Sequence, residues 1–236
     1  MVAVELYNQK NVYLIELLSI NFCPMFPISL LFSKDINDQY NKIFRFILFI
    51  KFSKYMIQNA CFNNKSTLNL KNYHTKIYPK NLYNSILRNR IRLHDMLSFI
   101  SQIENEVLYL STDLTKIKDC FLNSENFDDL IISSKKFICT IVNILHLDDL
   151  KIQIELKECL KACIKAGDFA INLNKKINNI TDFFSEPVEV LQIKAEYDNF
   201  ITKIEKLLAI DKEYESHGVV SFLHFPLLNL NLQKKI

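Results

Sequence analysis

Apolar residues recur every three or four positions over most of the chain, the period of an α-helix with a buried face. The first run begins at Ser33 or Asp35, either of which can cap a helix, and continues through Ile36, Tyr40, Ile43, Ile47 and Ile50. Phe44, Phe46 and Phe49 widen that stripe nearly all round, which predicts a helix packed on several sides. Arg45, Lys51 and Lys54 fall outside it, with stems on apolar surface and charged ends in water. The acid-free polar stretch 63–80, with Pro79 near its end, predicts a variable loop. A second long helix follows on Leu82, Ile86, Leu93, Leu97, Ile100, Ile103 and Val107. Leu114, Ile117 and Phe121 predict a short helix, and Phe127, Leu130, Ser134, Phe137, Ile141 and Leu145 another. Asp148 or Asp149 is placed to cap the next, whose stripe is Ile152, Leu156, Cys159, Cys163 and Ala170. After a break near Pro187 a last helix carries Ile193, Tyr197, Phe200, Ile204, Leu207 and Leu208, with Gly218 to stop it. Residues 1–32 mix apolar runs with prolines, a pattern of short strands, turns or a broken helix. The expected fold is all-α: a single helical bundle of about six helices over residues 1–218, with an apolar tail, 219–236, docked on its body.

Composition supports this. The 236 residues include only 2 glycines and 5 prolines, too few for the many turns of an all-β protein. With 49% hydrophobic and 23% charged residues the chain can fill a core. The six scattered cysteines follow no disulfide framework and no signal-peptide pattern opens the chain, so a reducing, intracellular setting is expected. No membrane span is expected: the stretch 12–32 contains Glu16, Asn21, Pro24 and Pro27, and the run 43–50 is short and carries Arg45.

Charge changes the picture more. The net value is only +3, yet from Gln39 to His94 there are 11 Lys and Arg and no acid. The other 18 basic residues share the rest of the chain with all 26 acids, a balance of −8. A surface built on the basic segment would suit an acidic macromolecule as well as plain solvation.

Catalytic and ligand motifs are missing. Two glycines 51 positions apart build neither a dinucleotide turn nor a phosphate loop. Cys159, Cys163 and His146 lack the spacing of a zinc site, and the two cysteines lie on the apolar stripe as core thiols. His94 and Asp95 are neighbours that point apart on a helix, and the pairs Asp128/Asp129 and Asp148/Asp149 sit at predicted helix starts, where the dipole favours acids. No enzyme activity, cofactor or metal is expected.

In its order of elements the chain resembles the C-terminal domain of the γ-tubulin complex component family, the spindle-pole-body proteins. The resemblance rests on Phe26–Pro27–Ile28 followed by Tyr40, Ile43, Phe44, Arg45, Phe46, Ile47 and Leu48; on Arg90, Arg92, Met96, Phe99 and Ile100; on Asp128, Asp129, Leu130, Ile131 and Phe137; and on "ITKIEKLLAIDKEY" at 201–214. It runs from about residue 14 to 215. Phe26 stands where the family usually has Trp, no counterpart of the family's N-terminal half is present, and the tail after Gly218 has no clear counterpart either. The resemblance implies a non-catalytic scaffold that holds γ-tubulin, an acidic protein, for microtubule nucleation at a microtubule-organising centre or spindle pole. Its implied partners are γ-tubulin and other γ-tubulin complex components, with no nucleic acid. Charge nominates Lys42, Arg45, Arg88, Arg90 and Arg92 as the partner-binding residues. Two alternatives stay open: a helical adaptor without tubulin contact, and a nucleic-acid-binding helical protein using segment 39–94.

Overall fold

The structure is a computed structural model that describes residues 15, 17–20, 25–62, 80–111, 122, 126–179, 187–216, 223 and 226. Among these it forms five α-helices, α1 (Lys34–Phe62), α2 (Lys80–Ser111), α3 (Phe127–Ile144), α4 (Leu150–Asn179) and α5 (Val188–Ser216), a short 3-10 helix at Ile28–Phe32, and no strand. The all-α expectation holds, with five helices in place of about six. The short helix expected on Leu114, Ile117 and Phe121 lies outside the described residues. So does the 63–80 loop, except that Lys80 already opens α2.

Local chemistry sets the helix starts. Ser33 Oγ accepts from the Ile36 N–H at 3.5 Å ahead of α1, and Asp35 sits in the first turn. Asn126, rather than either aspartate beside it, caps α3 by accepting from the Asp129 N–H at 2.8 Å. Asp128 and Asp129 occupy the first turn, where they meet the positive end of the dipole. At α4 the cap is Asp149, whose Oδ1 accepts from the N–H groups of Lys151 and Ile152.

Cross-helix pairs fix the directions. Met56 lies against Gly167 and Ala60 against Asn174, so α1 and α4 run parallel. Lys176–Glu189, Lys165–Glu196 and Lys203–Glu155 set α5 antiparallel to α4. Asn89–Val190 and Tyr197–Asp95 set α2 parallel to α5, and Lys51–Glu104 with Cys61–Arg90 sets α2 antiparallel to α1. One core joins all five. Phe99 and Phe200 meet edge to face at 5.6 Å in it, among Ile57, Ile100, Leu156 and Ile204. Cys159 and Cys163 are buried there as free thiols, and burial pushes the Cys159 thiol well above its ordinary range.

Helix α4 is the most enclosed element. Beyond the five stripe positions it buries Leu160, Ala162, Ile164, Ala166 and Leu173, and Gly167 lets α1 approach. A Cβ at Gly167 would stand 2.9 Å from the Met56 carbonyl carbon and 3.2 Å from the Ile57 nitrogen. At the far end, buried Asn174 donates to the Ala60 carbonyl at 3.1 Å, satisfying an acceptor in the last turn of α1. No helix among the described residues is long and apolar enough to cross a membrane. Leu223, beyond α5, is fully enclosed in the same core.

Candidate partner-binding surface

Burial sorts the α1 residues into those that build the core and those that face outward. Phe46, Phe49 and Ile50 are buried, whereas Phe44 is only half-buried and stands outside the core cluster. On the outward side, Lys42 Nζ donates to Asp148 Oδ1 at 2.6 Å, with both side chains about half exposed. Such a pair contributes little to stability. Arg45 turns the other way, to the segment ahead of α1, where its Nε donates to the Leu18 carbonyl at 2.7 Å. Asn41 grips the same segment. Its Oδ1 accepts from the Ile20 N–H at 2.6 Å and its Nδ2 donates to the Ile20 carbonyl at 3.2 Å. Asn41 is itself buried, so both halves of its amide are satisfied where an unpaired group would be costly. The backbone at Leu18 and Ile20 is therefore held by α1, while the side chains of Leu17 and Leu18 are exposed, as are those of Met25, Phe26 and Ile28 nearer α1.

Beside it a cleft of about 320 Å³ opens between α1, the α3–α4 turn and the first turns of α4. Phe46, Phe49 and Leu147 supply apolar lining, and Lys42, Arg45 and Lys157 supply three cationic side chains. The turn that delivers Leu147 is built with care for its backbone groups. The Leu147 N–H reaches back to the Val142 carbonyl and the His146 N–H to the Asn143 carbonyl, both at 3.0 Å. His146 has φ 48° in the left-handed position that glycine usually fills. Its ring lies 5.2 Å from that of Tyr214, and Gln153 Nε2 donates to its carbonyl at 3.2 Å. Burial lowers the His146 pKa, against the opposing pull of Asp149 and Asp211. The Tyr214 hydroxyl donates to Asp149 Oδ2, tying the end of α5 to this turn. That bond, with burial behind it, pushes the tyrosine up to about 12. Burial would raise the Asp149 carboxyl, but the bonds from Tyr214, Ile152 and Lys151 overcome it and hold the group below its ordinary value.

The other three nominated residues lie elsewhere. Arg88 is exposed on α2. Arg90 is half-buried and acts on Cys61, whose thiol burial pushes up and the arginine draws partly back. Arg92 Nη1 donates to Asn89 Oδ1 at 2.6 Å, and its guanidinium lies over the Tyr197 ring at 5.8 Å. Buried Asn89 in turn donates to the Val190 carbonyl at 3.0 Å, so Arg92 belongs to the joint between α2 and α5. From Arg45 to Cys61, α1 rises about 24 Å, so the structure brings Lys42 and Arg45 together at one end of the bundle and the three arginines at the other. Lys51 and Lys54, from the same basic segment, are both held by Glu104. Acid-free sequence therefore does not make one acid-free surface, because α2 and the α3–α4 turn return carboxylates to it.

Sequence pattern did not find Lys157 as a member of the cleft, nor Asp148 as the partner of Lys42. Nothing in their spacing links them to Lys42, which lies more than a hundred residues earlier. Among the described residues no group of three or more His, Cys, Asp and Glu is arranged to hold a metal ion. His94 is exposed, and Asp95 accepts from the Tyr197 hydroxyl at 3.0 Å rather than facing its neighbour.

A search of curated proteins finds no match to the chain. The family model described as gamma tubulin complex component C-terminal matches residues 2–234, nearly the whole chain. The match passes Gly218, so most of the tail that lacked a clear counterpart falls within the family's extent. Membership carries an association with the γ-tubulin complex and microtubule nucleation, and the helical architecture agrees with it. The chain belongs to the γ-tubulin complex component C-terminal family.

Proposed function

We propose that this chain binds γ-tubulin and positions it for microtubule nucleation, as a non-catalytic scaffold at a microtubule-organising centre or spindle pole. The observation that carries the proposal is the family match across residues 2–234. Other γ-tubulin complex components are the further partners it suggests, and nucleic acid is not among them. The helical domain is taken as residues 1–218 with 219–236 docked on it, which the burial of Leu223 in the core supports. Lys42, Arg45, Arg88, Arg90 and Arg92 remain the proposed contact set for an acidic partner. Electrostatic complementarity of this kind speeds and orients encounter more than it sets affinity. Purified γ-tubulin should be captured by the folded chain, and absence of binding would overturn the proposal.

A further inference from the structure

We infer that the cleft between α1 and α4, rather than the arginine end of the bundle, is the anchor point for the acidic partner, taking an apolar side chain flanked by carboxylates. This rests on the proposed binding of γ-tubulin and says where on the chain it happens. Three observations carry it. First, the cleft combines apolar lining from Phe46, Phe49 and Leu147 with the cationic groups of Lys42, Arg45 and Lys157. Burying an apolar anchor in such a pocket while cations meet its acidic neighbours is the arrangement that concentrates binding energy in a few residues. Its volume of about 320 Å³ has room for one or two side chains.

Second, Leu17 and Leu18 are exposed beside backbone that α1 holds, since Arg45 binds the Leu18 carbonyl and Asn41 binds both backbone groups of Ile20. An apolar surface on a fixed backbone costs less ordering on binding than a free segment would, and contiguous apolar exposure marks interaction sites. Third, the opposite end has less to offer. Of its three arginines Arg88 is exposed while Arg90 and Arg92 are half-buried, whereas Lys42 and Lys157 are both exposed at the cleft. Asp148 pairs with Lys42, one of the residues lining the cleft, and so opposes an acidic visitor there.

Asp148 makes the inference testable in both directions. Binding of purified γ-tubulin to the full chain would be followed by biolayer interferometry for wild type, Lys42→Glu/Lys157→Glu, Lys157→Gln, Asp148→Lys and Arg88→Glu. All substituted side chains are exposed, and thermal melts would confirm folding. The double variant should weaken binding by about tenfold or more, Lys157→Gln should weaken it less, and Asp148→Lys should accelerate association. Arg88→Glu should weaken binding clearly less than the double variant does. If wild type binds and the double variant binds equally, the cleft is wrong and the proposed function stands. An equal loss in Arg88→Glu would also overturn the cleft, since general attraction would then explain both. Failure of wild type to bind would remove the proposed function and the cleft together.

Discussion

Arg92 and Arg88 are one helical turn apart on α2, yet their surroundings differ. Arg92 bonds Asn89 and covers Tyr197, while Arg88 is exposed. Arg92→Glu removes a charged hydrogen bond and sets a carboxylate beside Asp95, the acceptor of the Tyr197 hydroxyl. It should cost about 1–3 kcal/mol, whereas Arg88→Glu should stay within about 0.5 kcal/mol. Urea denaturation of the two variants checks this; equal midpoints would remove Arg92 from the α2–α5 joint. The consequence for function is practical. A variant carrying both changes confounds binding with folding, so the arginines must be tested singly.

Glu104 supplies a pH-dependent test at the same scale. Burial would raise its carboxyl, but hydrogen bonds from Lys51 and Lys54 overcome that and hold it below the ordinary carboxylate range. A carboxylate with a depressed folded pKa contributes fully above its unfolded value, and the contribution disappears as pH falls through the folded one. Wild-type stability should therefore fall on acidification from about pH 5 downward. Glu104→Gln should be less stable at neutral pH and show a shallower acid limb. Parallel acid limbs in a series of denaturant titrations would contradict the assignment.

At the scale of elements, helix starts were the most legible feature, because capping is local. Ser33 and Asp149 stand where short polar side chains precede apolar stripes, and Pro187 precedes α5. The stripe of α4 was legible too, since Ile152, Leu156, Cys159, Cys163 and Ala170 are all buried. Its further burial was not, because the enclosure of α4 depends on where α1 and α5 pack. Gly167 shows the same limit. In sequence it is a rare glycine inside a helical pattern; in the structure it is where two helix backbones meet. Ala is the better helix former by roughly 1 kcal/mol, but overpacking against backbone atoms costs typically about 1–3 kcal/mol. Because Met56 and Ile57 present backbone and cannot swing aside, Gly167→Ala should lower stability by about 1–2 kcal/mol. A rise in melting temperature would show that the helices part at no cost. His146 was likewise illegible, since its left-handed backbone is imposed by the α3–α4 turn and nothing in its neighbours announces it.

For the whole molecule, the fold class followed from periodicity and the scarcity of glycine, and the family from blocks spread along the chain. The surface did not follow. A basic run of sequence becomes two separate basic regions once α1 and α2 pair antiparallel, and Glu104 and Asp148 return negative charge to α1. Lys157 joins Lys42 and Arg45 only through the parallel packing of α1 and α4, a relation no local pattern encodes. The architecture is that of a helical body with a cationic, apolar-lined cleft at one end, an arrangement that fits the proposed scaffold for an acidic partner. The measurement that tests this most directly is equilibrium binding of purified γ-tubulin to the purified, folded chain at two salt concentrations. The account predicts saturable one-to-one binding that weakens, and associates more slowly, as salt rises. A folded chain that shows no saturable binding at either salt concentration would contradict it.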